Sequence, residues 1–348
     1  MSDQIKKLAP LIWSEIQKAN KILLNIHVTA DLDSIGSALG LKQILENLGK
    51  QVTVISPESI ANEKAQHAEK MLGFKDILYK EITDLDLSNY DLFICLDIGQ
   101  PSRISRNHKL TFPLSIPTIV IDHHKDNSQF GEINFIEGLG HCTSELLYWL
   151  CMEWKINISP ETAKCFFMGI LSDTDRFRFE GVTSSDTFRA ASDLIEIGNI
   201  NFPELMWENQ SKGNKFLKAY GYFLGQCHEV FGGKVLLSTI TFADLRKFDL
   251  EESSMKTIYR IVSDTLSDSE TSYITAVIYQ LNPTLWGLSI RTDNPHHFDR
   301  DSSLIARQFP GGGGHVHGAG ATMTGEFAEV EKTLLDNIQK VYPDLGQP

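Results

Sequence analysis

Positive charge is in short supply in this sequence. The 348 residues carry 32 Lys and Arg against 45 Asp and Glu, a formal net charge of −13. A protein that coats long nucleic acid needs a basic face for the phosphates, so long duplexes are excluded as partners. A small phosphorylated ligand remains compatible if cations supply the missing charge. Cysteine is scarce too: Cys95, Cys142, Cys151, Cys165 and Cys227 form no CxxC pair and are odd in number. They read as reduced thiols of a cytoplasmic protein, not as a disulfide framework or a zinc cage. The N-terminal residues Met1 to Gln4 are polar and open no secretory signal. One long uncharged stretch, Thr271 to Ile290, is broken by Gln280, Asn282, Pro283 and Gly287. It predicts two strands joined at Asn282-Pro283, and no membrane span. Repeats are absent, as is low complexity beyond Gly311 to Gly314.

What is present is an ordinary globular composition. Hydrophobic residues at 42% exclude intrinsic disorder and supply a large core. Against roughly 150 residues per domain, the length predicts two domains. The apolar spacing over 2–19 predicts an amphipathic helix that Pro10 kinks or splits. Short continuous apolar runs at 22–26, 52–55, 92–96 and 118–121 predict strands. Helices are expected between them, at 34–48 and 62–72. That alternation predicts an α/β fold with a mostly parallel sheet flanked by helices. The pattern is helical from 142 to about 225. Near 226 the character changes: a hairpin turn at 230–235 and strands at 234–241, 272–281 and 284–291 are predicted, with helices near 251–267, 301–309 and 326–341. The expected division is a domain over 1–212, a linking helix over 213–225 and a smaller α/β domain over 226–348.

Three acidic or histidine clusters follow predicted strands. They are His27-Val28-Thr29-Ala30-Asp31-Leu32-Asp33, Asp97, and Asp122-His123-His124. A fourth segment, Gly169 to Asp175, follows an apolar helical run and ends in carboxylates. In a parallel sheet the carboxyl ends of the strands share one edge, where ligands bind, so these residues are expected to converge. Taken singly, each has a plainer explanation; Asp33, before Ser34, suits a helix cap. Together, Asp31, Asp33, Asp97 and Asp173 bring four negative charges that cannot all stay ionised without cations. Two divalent ions cancel them, and neutral His27 and His123 can complete the coordination. Oxygen and imidazole donors without thiolate favour manganese, magnesium or a similar ion. Two such ions are a recurrent arrangement for phosphoryl hydrolysis.

These segments resemble the motifs of the DHH phosphoesterases, and within them the bifunctional oligoribonuclease/pAp phosphatases. His27 to Ser37 is similar to the first motif, Leu96-Asp97 to the second, Asp122-His123-His124 to the third and Gly169 to Thr174 to the fourth. Gly311 to His315 resembles the glycine-rich motif of the DHH-associated C-terminal domain. The resemblance implies His27, Asp31 and Asp97 on one metal. It implies Asp33, Asp97, His123 and Asp173 on the other, with Asp97 bridging. Asp122 and His124 are then orienting or proton-handling groups. It also implies substrate binding by Gly312, Gly313, Gly314 and His315, with Arg291 for a terminal phosphate. The implied cofactors are two divalent ions, manganese first, with magnesium or cobalt as substitutes.

The implied activity is hydrolysis of short single-stranded RNA to mononucleotides, of 3′-phosphoadenosine 5′-phosphate to AMP, or of both. Alternatives are a linear or cyclic dinucleotide phosphodiesterase, a polyphosphate or pyrophosphate hydrolase, and a non-catalytic nucleotide sensor. No membrane partner is implied, and a homodimer is compatible. Asp175 stands where the family often has glycine. Arg103 and Arg176, each shortly after a motif, are expected in surface salt bridges.

Overall fold

The computed structural model describes residues 3–57, 77–107, 110–138, 141–178, 182–210, 212–292, 300–314 and 316–347. The helix expected at 62–72 lies outside them. The chain divides into two compact units, Met1–Asn209 and Gln210–Pro348.

In the first unit, the apolar runs become strands β1 (Lys21–Asn25), β2 (Gln51–Ser56), β3 (Ile77–Tyr79), β4 (Leu92–Leu96), β5 (Thr118–Asp122) and β6 (Ile133–Ile136). They form one sheet in the order β3-β2-β1-β4-β5-β6, and every pairing is parallel. All residues of β4 and β5 are buried, which is why β4 and the centre of β5, Ile119 to Ile121, are continuously apolar instead of alternating. Alternate side chains supply two cores. Leu24, Ile94, Leu96 and Ile121 face one, while Leu23, Phe93, Cys95 and Val120 face the other. Helices Asp3–Lys18, Leu32–Asn47, Thr143–Trp154 and Pro160–Asp173 pack into the first core. The helix Asp3–Lys18 runs through Pro10 unbroken. The chain enters the sheet at its centre, builds β2 and β3 on one side, then returns to place β4 on the other. The reversal between β1 and β4 is a topological switch point, where the loops beyond the strands diverge and leave a crevice.

The second unit has β7 (His228–Val230), β8 (Val235–Ile240), β9 (Ile274–Gln280), β10 (Leu285–Arg291), β11 (Gly313–Gly314) and β12 (Gly318–Thr324). Their order is β11-β12-β10-β9-β8-β7. Only β8 and β9 pair in parallel, so the sheet is mixed. The uncharged stretch at 271–290 forms β9 and β10 with a turn between them. Among the described residues no helix is long and apolar enough to cross a membrane.

The segment expected to link two domains is the helix Asn214–Gly225, and it is part of the second unit's core. Its Ala219 and Phe223 are fully buried with Ile240, Leu245, Val262 and Val277. Four aromatic residues in that helix (Phe216, Tyr220, Tyr222 and Phe223) carry too much apolar area for a solvated connector. Phe223→Ala is therefore expected to destabilise the second unit by roughly 3–5 kcal/mol. Denaturant titration of the full chain should show an early transition; an unchanged unfolding curve would show that Phe223 adds little to that core.

Candidate metal centre

The loops after β1, β4 and β5 meet at the carboxyl edge of the first sheet. Register brings them level: Asn25 pairs with Cys95, and Leu96 with Ile121. His27, Asp97 and His123 each follow two residues beyond a paired position. Asp97 is buried at the centre. Its Oδ2 lies 3.3 Å from His27 Nε2, and its Oδ1 lies 3.3 Å from His123 Nε2. His27 Nε2 is also 3.5 Å from Asp31 Oδ2. On the other side, His123 Nε2 is 3.7 Å from Asp173 Oδ2, contributed by the end of the helix Pro160–Asp173. Both Asp97 and Thr29 have positive φ, 60° each. Such backbone is uncommon outside glycine, and it clusters where function requires it.

Asp31 caps the helix Leu32–Asn47, accepting from the N–H groups of Asp33 and Ser34. The capping role that the sequence allowed for Asp33 thus falls to Asp31, because Asp31 stands immediately before the first helical residue. Asp33 is left to reach across. Its Oδ2 accepts from Thr143 N at 2.8 Å and its Oδ1 from Ser144 N at 2.9 Å. These amides open the helix Thr143–Trp154, whose positive end favours an ionised carboxylate. Thr143 Oγ1 also donates to Asp97 Oδ1 at 3.2 Å. Thr143 and Ser144 were not legible as site residues, since their contribution to Asp33 is backbone N–H. Gly169 is constrained here too. A Cβ on it would overlap Ser144 Oγ and stand 2.7 Å from Asp33 Oδ1.

His124 lies beside this group, its Nδ1 2.7 Å from Asp122 Oδ1 and 3.9 Å from Asp97 Oδ1. Asp122 is fully buried and accepts a second bond from Asn127 Nδ2 at 2.6 Å. Asn127 also donates to Ile98 O and so braces two loops; an amide five residues from the motif carried no sequence signal. Arg176 bonds Asp175, as a surface pair would. Arg103 does not: its Nη2 is 3.1 Å from His27 Nδ1. Asp175, Arg176 and Phe177 all have positive φ, which accounts for the glycine that the family often carries at the first of them.

The electrostatics of these side chains call for cations. Burial, then the charges of Asp97 and Asp173, push Asp33 up to about 8. Burial, with Asp97 and Asp31 adding to it against His123, pushes Asp173 up to about 6. Burial opposes the charged form of His27, but hydrogen bonds to Asp31 and Asp97 outweigh it and raise the imidazole to about 10. Yet the amides on Asp33 want a carboxylate, and Asp173 Oδ2 is buried with no hydrogen-bond partner. Three groups place ligand atoms within 4.8 Å of one another: His27–Asp31–Asp97, Asp33–His123–Asp173 and Asp97–His123–His124. Carboxylate oxygen and imidazole nitrogen suit a divalent cation at each of the first two.

In the second unit, Arg291 ends β10 opposite Gly318, and Gly314 pairs with the next residue, Ala319. Register thus gathers Arg291 and Gly314 at one end of three strands. Arg291 Nη2 is 3.3 Å from Asp264 Oδ1. The amide of Gly312, expected to face an anion, instead donates to Phe309 O at 3.0 Å, because the chain turns there. Gly314 has a φ of +147°, and a Cβ on it would stand 2.5 Å from Ala319 Cα. Gly313 pairs with Gly320. His315 lies outside the described residues.

Residues 21–170 match the DHH family, N-terminal domain. The matched segment carries His27, Asp31, Asp33, Asp97, Asp122, His123 and His124. Among curated relatives, the bifunctional oligoribonuclease and PAP phosphatase NrnA of Thermus thermophilus is 27% identical over 337 residues, 96% of this chain and 94% of its own. The probable bifunctional oligoribonuclease and PAP phosphatase NrnA of Streptococcus mutans is 24% identical over 323 residues, 89% of this chain and 92% of its own. The crystal structure of an exopolyphosphatase-related protein from Bacteroides fragilis shares the fold, with a TM-score of 0.84, 23% identity and 98% of each chain covered.

Two outcomes are expected. Gly169→Ala should weaken manganese binding at least about tenfold, the scale for disturbing a ligand's support, with little change in far-UV circular dichroism. Equal affinity in a calorimetric titration would show that Asp33 tolerates the added methyl. The second concerns pH. In chelated protein, His27 and Asp33 hold protons that the unfolded chain has lost, so the native state binds more protons between pH 6.5 and 8. Stability should fall as pH rises through that window, and saturating manganese should flatten the fall. A chelated protein that melts higher at pH 8 than at pH 6.5 would contradict this.

Proposed function

We propose that this chain is a metal-dependent phosphoesterase that hydrolyses short oligoribonucleotides to mononucleotides and 3′-phosphoadenosine 5′-phosphate to AMP. The observation that carries the reading is Asp97, buried, with one oxygen facing His27 and the other facing His123. That is the geometry of a carboxylate shared by two cations. His27, Asp31 and Asp97 would hold one, and Asp33, Asp97, His123 and Asp173 the other. Manganese suits the donors best, with magnesium or cobalt as substitutes. Bound there, two divalent ions would lower the pKa of water and neutralise charge on the phosphoryl and leaving oxygens.

The remaining chemistry falls to protein groups. Asp122 accepts from His124 Nδ1, which fixes the tautomer and leaves Nε2 to exchange a proton at a phosphoryl or leaving oxygen. The amides of Thr143 and Ser144 aim Asp33, and bound cations would keep it ionised. In the second unit, Arg291 with Gly313, Gly314 and His315 is proposed to hold a terminal phosphate. Arg291 would exchange its Asp264 partner for it, a favourable swap because the planar fork matches phosphate oxygens. The substrate choice follows the two relatives named above, which match along nearly their whole lengths. A net charge of −13 also favours ligands with few phosphates over long strands. Unpaired cysteines and a nucleotide substrate support action in the cytoplasm.

The test is manganese-dependent release of phosphate from 3′-phosphoadenosine 5′-phosphate, run beside mononucleotide release from a labelled RNA trimer. Wild-type protein should perform both. Asp97→Asn should lower both by roughly a thousandfold or more, about 4 kcal/mol of lost transition-state stabilisation. Asparagine accepts the positive φ at this position, so melting in the presence of chelator should stay near wild type. Substantial turnover by the variant would remove the shared carboxylate from the reading.

A further inference from the structure

Among the described residues, the Arg103 side chain meets an imidazole and no carboxylate. Arg103 closes a short 3-10 turn, Pro101–Arg103, just beyond β4. Its backbone carbonyl accepts from Val28 N at 2.9 Å, which ties the loop after β4 to the loop after β1. Its guanidinium then turns to the metal centre, with Nη2 3.1 Å from His27 Nδ1. That contact is not a hydrogen bond to a free lone pair. His27 Nδ1 also lies 2.8 Å from Val28 O, and a carbonyl oxygen can only accept. Nδ1 therefore carries a hydrogen, and Nε2 is the nitrogen that faces Asp97 and Asp31. Two N–H groups thus face each other, and Arg103 has nothing there to donate to. Among the described residues no carboxylate pairs with Arg103, although several lie close by around His27.

An arginine held against Nδ1 of His27, whose Nε2 faces Asp31 and Asp97, and paired with no carboxylate among the described residues, is placed for an acceptor that arrives with the ligand. We propose that Arg103 is a phosphate-binding residue of this site, donating to a non-bridging oxygen of the phosphoryl group that is hydrolysed. The inference rests on the phosphoesterase reading above. The chemistry supports a phosphate in particular. The guanidinium is always charged, presents paired donors in one plane, and matches two oxygens of a tetrahedral phosphate. Its place also answers an electrostatic need. An anionic substrate approaching several aspartates meets repulsion, and a fixed positive charge on the His27 side offsets part of it. The backbone tie between Arg103 and Val28 sets the guanidinium's position from the same loop that carries His27.

Calorimetry on the full-length protein tests this with two probes: manganese titrated into chelated protein, and inorganic phosphate titrated into manganese-loaded protein. Arg103→Met should weaken phosphate binding about ten- to a hundredfold, the scale of one hydrogen bond to a charged group, and leave manganese affinity within about twofold. Arg103→Lys should recover part of the loss, since it keeps the charge but not the fork. Unchanged phosphate affinity in the methionine variant would overturn the inference. So would a loss of manganese affinity with phosphate affinity intact, which would make Arg103 a prop for His27. Hydrolysis of 3′-phosphoadenosine 5′-phosphate by the same wild-type batch separates the two readings. If wild type hydrolyses and the variant still binds phosphate normally, only the role of Arg103 falls. If wild type neither hydrolyses nor binds phosphate, the phosphoesterase reading falls with it.

Discussion

A buried carboxylate held between two imidazoles governs the first unit. Asp97 is buried, and its charge is offset by His27 on one oxygen and His123 on the other. Removing a charge from water is costly unless opposite charge stands close. Around Asp97, further aspartates enter the same small volume, and Asp173 keeps a buried oxygen with no hydrogen-bond partner among the described residues. Neutral packing alone would not select such an arrangement. The aspartates, the turn at Asp97 and the amides aimed at Asp33 are mutually consistent only if cations complete them. The structure holds, at some cost in stability, a geometry that a bound ion would relax.

The sheet makes that concentration achievable. Parallel strands end on one edge, and reversal of chain order between β1 and β4 leaves room there. Each strand contributes one short loop, so residues separated by tens of positions meet without any loop having to be long. The helices Leu32–Asn47 and Thr143–Trp154 present their N-termini to the same place: one is capped by Asp31, the other binds Asp33. Two aspartates one residue apart therefore do different work, and position relative to the helix start decides which.

The second unit is built differently. Its sheet is mixed, its helix Asn214–Gly225 is locked into its own core, and its glycine segment is shaped by contact as well as by flexibility. A Cβ at Gly312 would overlap the carbonyl of Ala306, and Gly312 N is already taken by Phe309 O. The glycines let β11 lie close against β12 before they can serve any ligand. Arg291 shares that end of the sheet through register, with Asp264 as its present partner.

Much of this could be read from residue order. Apolar runs predicted the strands of the first sheet, because a strand covered on both faces has no polar alternate position. Charge repulsion among Asp31, Asp33, Asp97 and Asp173 pointed to cations before any distance was known. The helix expected to link the domains also packs into the second unit's core, a role its apolar period does not distinguish from that of a connector. Thr143, Ser144 and Asn127 escaped notice because backbone amides and neutral side chains carry no signature of their own. Arg103 was taken for a surface ion pair, since nothing in the chain order shows which acceptors are absent. By itself, then, the sequence determined which elements form and which ionisable groups must gather, for these follow from local periodicity and from the sign of charge. Only tertiary structure decided which oxygen faces which nitrogen, which aspartate caps a helix, and which arginine turns to His27 instead of to a surface carboxylate. Those depend on the close approach of distant segments, and directional bonds are resolved only at that range.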